Sequence, residues 1–212
     1  LNFFVSVAAT WGQDDPSLLQ MAVPSLNIAP DARGGGMGDM GASTLPDINS
    51  QYWNAAKYAF MGSKAGVSLS YTPWLRKLVN DVALVNMTGY YKLGNSDLQA
   101  VSASLRYFSL GEVNIWENIG DVPYGLNPYE MAFDVAYSRK LSESYSMAVT
   151  LRYIRSDMGT DQHDESYAGN AFAADISGYL EKYVLMGNAE ALWSFGFNLS
   201  NIGSKISYDG GN

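Results

Sequence analysis

The chain of 212 residues carries 13 Lys and Arg against 21 Asp and Glu, a formal charge of −8, which excludes a general nucleic-acid binder. Charged residues reach only 16% and aromatics 13%, which excludes a disordered chain. There is no cysteine, so disulfide scaffolds, thiol catalysis and cysteine-ligated metal centres are excluded. No apolar run approaches the ~20 residues of a spanning helix, which leaves a β-rich fold, either a soluble sandwich or a transmembrane barrel.

Residues 1–12 (LNFFVSVAATWG) are apolar and end in small residues just before the polar Gln13-Asp14-Asp15-Pro16. They read as the back half of a truncated signal peptide cleaved after Gly12, which predicts export. Residues 14–62 do not alternate and are rich in Gly, Ala, Pro and Asp, so they form something other than a sheet wall. Within them Gly36-Met37-Gly38-Asp39-Met40-Gly41 has the spacing of a dinucleotide fingerprint. That motif needs a strand before it and a helix after it, whereas Pro30-Asp31-Ala32-Arg33 precedes and Leu45-Pro46-Asp47 follows. The glycines are therefore expected to be close-packed backbone, with Gly36 and Gly38 as points where added bulk is harmful.

From Ser63 onward the sequence alternates with period two, the pattern of strands with one apolar and one polar face. Over residues 100–110, Val101, Ala103, Leu105 and Tyr107 oppose Ser102, Ser104 and Arg106. Met131, Phe133, Val135 and Tyr137 then oppose Asp134, Ser138 and Lys140, and Met147, Val149, Leu151 and Tyr153 oppose Ser146, Thr150 and Arg152. Residues 66–74, 81–92, 170–182 and 188–200 repeat the pattern, the last with Ala191, Trp193, Phe195 and Phe197 on one face. The expectation is seven strands of about ten residues, the length of a tilted membrane strand.

The connections separate a barrel from a sandwich, because outer-membrane barrels have tight periplasmic turns and long outer loops. Residues 94–96, 142–144 and the link near 186–187 are short, whereas 111–128 and 157–169 are long. The exception is 76–80, which should be an outer loop and is short. Tyr71, Trp74, Tyr90, Tyr91, Tyr107, Tyr129, Tyr145, Tyr179 and Tyr183 fall near strand ends, as interfacial girdles do.

The block Pro24-Ser25-Leu26-Asn27-Ile28-Ala29-Pro30-Asp31-Ala32-Arg33-Gly34-Gly35-Gly36-Met37-Gly38-Asp39, then Tyr52-Trp53-Asn54 and Tyr71-Thr72-Pro73-Trp74-Leu75, resembles the PorV family. This family comprises outer-membrane proteins of the Bacteroidota type IX secretion system, within the FadL-like barrel superfamily. Asn201-Ile202-Gly203-Ser204-Lys205-Ile206 is typical of the superfamily, and the resemblance covers nearly all of the chain after Gln13. One departure is that Asn54 precedes Ala55-Ala56 where Asn-Pro-Ala is frequent, which leaves that turn less rigid.

The resemblance implies an all-β, antiparallel transmembrane barrel of roughly fourteen strands with an N-terminal hatch in its lumen. Residues 13–62 would be the hatch, with Arg33, Gly34, Gly35, Gly36, Gly38, Asp39 and Asn54 as its packing residues. Residues 63–212 would be the first half of the barrel, with an eighth strand beginning at 204–208. Seven strands cannot close in hydrocarbon, so the sequence is expected to be a piece of a longer barrel.

Three functions follow as alternatives. By resemblance, a non-enzymatic component receives cargo with C-terminal signal domains from the type IX translocon barrel and presents it to the surface sortase, within outer-membrane lipid. A FadL-like importer of small hydrophobic molecules is the second reading and a lipid hydrolase the third. The hydrolase is weakest, since the only histidine, His163, lies in the acidic run Asp161-Gln162-His163-Asp164-Glu165. No cofactor or metal is expected, because that run lacks the ligand pattern and Gly of a calcium loop. Arg106, Asp134, Lys140, Arg152, Asp175 and Glu190 are expected to face the lumen, a mixed-charge lining that suits water better than an apolar ligand. In the 111–128 loop, Ile115, Trp116, Ile119 and Tyr124 are expected to face a protein partner, the alternative being that Trp116 and Ile115 fold back to plug the barrel mouth.

Overall fold

The computed structural model describes residues 23–74, 81–94, 97–116, 123–160, 166–187, 189–206 and 208. Alternation becomes an antiparallel sheet of seven strands, curled into a half-barrel. Its strands are β1 (Ala65–Pro73), β2 (Val82–Leu93), β3 (Gln99–Leu110), β6 (Tyr129–Lys140), β7 (Tyr145–Thr160), β8 (Ser166–Met186) and β9 (Ala189–Gly203). Each pairs with its neighbour in that order. Two short strands, β4 (Val113–Ile115) and β5 (Tyr124–Leu126), form a hairpin inside the long connection between β3 and β6. Among the described residues β1 and β9 do not pair with each other.

The register fixes which face each residue takes. Leu69, Met87, Leu105, Phe133, Tyr153 and Phe172 lie in one cross-strand row, and Val67, Gly89, Ala103, Val135, Leu151 and Ala174 in the next. The large side chains of this outer face are open, with Leu69 72%, Leu151 65% and Phe172 69% exposed. Ser102, Ser104, Asp134, Ser138, Thr150, Arg152 and Asp175 on the other face are buried. Apolar residues outside and polar residues inside is the reverse of a water-soluble sheet, and a belt of this extent suits hydrocarbon. Among the described residues no helix is long and apolar enough to cross a membrane.

Residues 23–62 pack on the polar face. A 3₁₀ turn at Pro24–Asn27 leads to α1 (Ala32–Gly36), α2 (Ser50–Trp53) and a second 3₁₀ turn at Ala55–Phe60. Asp31 starts α1 by accepting from the Gly34 N–H at 2.7 Å, and three glycines end it within five residues. Asn54 starts the second 3₁₀ turn by accepting from the Ala56 N–H at 3.0 Å. That turn buries Ala55, Ala56 and Tyr58 against Tyr90, Ala100, Ala136, Ala148 and Tyr179. A second cluster joins Val23 and Leu26 to Ile154, Ala171, Ala173 and Ile206.

The structure corrects several expectations. The 157–169 loop is largely strand: β7 and β8 stay paired through Asp157↔Ala168 and Thr160↔Ser166, with a register shift where Gly159 takes φ +101°. Apolar alternation marks only strands with one greasy face, so a hairpin running past that zone has no such mark. Residues 161–165 and their His163 lie outside the described residues, as do 1–12 and 76–80. The expected eighth strand is not formed at 204–206 or 208. Instead Ile206 joins the second apolar cluster and Tyr208 donates to Ser156 Oγ at 3.0 Å. Tyr90 and Tyr179 are buried rather than interfacial, Tyr90 stacking on Tyr58 at 4.9 Å and Tyr179 meeting Phe60 edge-on at 5.5 Å.

Candidate functional site

The polar face is built from strand parity. Asp134, Arg152 and Asp175 are in phase on β6, β7 and β8, and register brings them side by side. Arg152 Nε reaches Asp134 Oδ1 at 2.7 Å and its terminal nitrogens reach Asp175 Oδ2 at 2.9 Å and Asn201 Oδ1 at 2.5 Å. Asn201 sits at φ +61° in a bulge of β9 and donates its N–H to Asp175 Oδ1 at 2.7 Å. Ser104 Oγ also donates to Asp134, at 3.1 Å. Each buried charge thus has opposite charge and directed hydrogen bonds, as burial demands.

The wall also fastens residues 23–62 by their main chain. Arg106 donates to the Ser25 carbonyl at 2.9 Å while Glu130 accepts from the Ser25 N–H at 2.9 Å, and Tyr52 lies over the Arg106 guanidinium at 4.5 Å. Ser70 donates to Pro30 O at 2.6 Å, Ser146 to Ala56 O at 2.7 Å, Ser194 to Ser43 O at 2.7 Å and Lys92 to Met61 O at 2.8 Å. In return Asn54 Nδ2 donates to Gly178 O and Ala42 O, both at 2.9 Å. Lys140 sits 4.1 Å above the Phe60 ring.

Five of the six expected lumen residues take the inner face. Glu190 has inner-face parity but is exposed, because the β8–β9 hairpin carries it beyond the filled region. The expected packing residues divide. Asn54 is fully buried, and Arg33 pairs with Asp47 at 2.7 Å on the exposed side of the segment. A Cβ at Gly34 would lie 2.5 Å from the Trp53 ring and one at Gly41 2.1 Å from it. Gly35, Gly36 and Gly38 face open space, so the expected close approach at Gly36 and Gly38 is corrected: Trp53 covers the two ends of the glycine run, and Gly38 matters only through its φ of +78°. Asp39 is exposed at φ +58°. Gly41→Ala should cost about 1–3 kcal/mol by overpacking whereas Gly36→Ala should not destabilise, as read by urea unfolding of refolded protein.

In the long connection Trp116 is 60% and Val113 45% exposed, and Ile115 is partly buried. Tyr124 lies in β5, and Ile119 falls outside the described residues. Glu130, Tyr52, Ser25 and Lys57 make buried contacts that the sequence did not mark as a site. The parity of Asp134 and Ser138 extends back to Glu130 and could have found it; the others carry no periodic mark.

Lys57 is fully buried and donates to Gly41 O at 2.8 Å and Thr44 Oγ1 at 3.2 Å. Burial pushes its ammonium down to about 8, partly opposed by Asp47. Between there and its ordinary range the unfolded chain holds a proton that the folded chain has shed. The stability that Lys57 contributes is therefore complete above the ordinary lysine range and lost as pH falls towards 8. Relative to Lys57→Met, the melting temperature of the unmodified protein should rise between pH 8 and 10; parallel curves would disprove this.

A family model described as type IX secretion system protein PorV matches residues 12–212. The chain belongs to the PorV family. No curated protein matches it. PorV membership makes it an outer-membrane component of the type IX secretion system, and the outward apolar belt is compatible with that location.

Proposed function

We propose that this PorV-family chain receives cargo proteins with C-terminal signal domains from the type IX translocon barrel and presents them to the surface sortase, without catalysis of its own. The observation that carries the reading is the polar face itself. Its central charges bond one another and the main chain of residues 23–62, so they hold that segment in place rather than line a path for a solute. Partners then have the strand ends and loops to engage, and Trp116 with Val113 is an exposed apolar pair on the β4–β5 hairpin. In this reading residues 13–62 are the hatch and 63–212 the first half of a barrel of roughly fourteen strands.

A second reading, an importer of small hydrophobic molecules, is favoured by a cavity of about 440 Å³ that Val23, Leu26, Ile154, Ala171, Ala173 and Ile206 line on its apolar side, with Asn27, Asn201, Ser204 and Lys205 at its polar side. Trp116→Ala separates the two. Barrel assembly should be unchanged while recovery of translocon and signal-domain cargo in detergent pull-downs falls, by about 2 kcal/mol if Trp116 is a central anchor. Wild-type recovery of both partners with loss of hydrophobic solute uptake would favour the importer.

A further inference from the structure

The β8–β9 hairpin outruns its neighbour. β8 pairs with β7 only as far as Leu180, opposite Tyr145, and its last tie on that side is Glu181 N–H donating to the Ser144 carbonyl at 2.9 Å. Its pairing with β9 continues to Met186↔Ala189. Residues 182–186 therefore extend about 17 Å beyond the level of Ser144 at roughly 3.3 Å per residue, at the end of the sheet opposite the 111–128 connection.

Antiparallel backbone groups point alternately to the two neighbours. Since Glu181 points to the β7 side, so do Tyr183 and Leu185, while Lys182, Val184 and Met186 point to β9. Among the described residues nothing bonds the backbone of Tyr183 or Leu185 on that side. Their side chains have the parity of the buried Tyr179, yet they are 71% and 76% exposed. No proline or charge stands at either position, which are the usual devices that blunt an open edge.

We propose that this edge accepts an extended segment of a partner protein, with alternating apolar residues, added as a strand beside β8. The chemistry of the vacant groups selects the occupant: a row of unpaired N–H and C=O groups at strand spacing is matched by another extended main chain. Tyr183 and Leu185 supply the side-chain contacts; Leu192, opposite Tyr183, widens the apolar strip, and Glu190, opposite Leu185, ends it with a carboxylate at the hairpin tip. The proposal does not depend on which cargo or solute the barrel handles.

The test uses the full chain folded in detergent micelles and a capped ten-residue peptide of alternating Val and Thr, read by amide hydrogen exchange. In free protein the Tyr183 and Leu185 amides should exchange at least about tenfold faster than those of Val184 and Met186, and the peptide should slow them to a similar degree. The same peptide with every amide N-methylated should give no protection. Leu185→Pro removes one edge donor and spares the β9 ladder, so it should weaken peptide binding with the unfolding midpoint unchanged. Leu185→Lys, which keeps the donor but places a charge on the edge, should weaken binding as well if the proline variant does not fold. Slow exchange at Tyr183 and Leu185 without peptide would show the edge to be occupied already, and equal binding of the N-methylated peptide would show side-chain docking alone. Either result overturns the proposal, as does protection that rises with protein concentration, which assigns the edge to a second copy.

Discussion

Arg152→Ala should destabilise the folded chain by about 3–5 kcal/mol, because it leaves Asp134 and Asp175 buried without the cation that bonds them both. The two carboxylates face each other across β7, and Arg152 is the cation bonded to both. Asn201 would lose a partner as well, so the β9 bulge should loosen together with the cluster. The cost arises from stranded charge rather than from the pair's own strength, which gives the prediction a second arm. Combining Arg152→Met with Asp134→Asn and Asp175→Asn should recover at least half of the loss. Urea unfolding of protein refolded into lipid vesicles checks both arms. A triple variant no better than Arg152→Ala would mean that the cluster acts through its specific hydrogen bonds.

Leu151→Arg, one residue earlier, tests the opposite face. Leu151 is 65% exposed and lies between Val135 and Ala174 in the middle of the apolar belt. Were this surface bathed in water, the substitution would change stability by less than about 0.5 kcal/mol. If lipid covers it near the bilayer midplane, the cost should be about 2–4 kcal/mol. The same change at exposed Glu143, in the β6–β7 turn, should be nearly neutral in either environment. A neutral Leu151→Arg in vesicles would remove this strand from the hydrocarbon layer.

The sequence by itself determined the seven strands, their faces, the tight 142–144 turn and the long 111–128 connection. Each of those is a local property: parity depends on successive residues, and Val101 to Tyr107 against Ser102 to Arg106 is legible without any partner. The block from Pro24 to Asp39 likewise carried the family. Only the tertiary structure decided how the inner face is satisfied. Arg152 between Asp134 and Asp175 depends on register across three strands, which no single strand encodes. The seating of Ser25 between Arg106 and Glu130 joins residues about eighty and one hundred positions apart, and their polarity alone does not name the partner. Gly34 and Gly41 were distinguished from Gly36 and Gly38 by the position of the Trp53 ring, because a glycine's role is set by what stands where its side chain would be. The length of β7 and β8 was hidden for the converse reason: past the apolar belt both faces meet similar surroundings, so period-two contrast disappears although the backbone ladder continues.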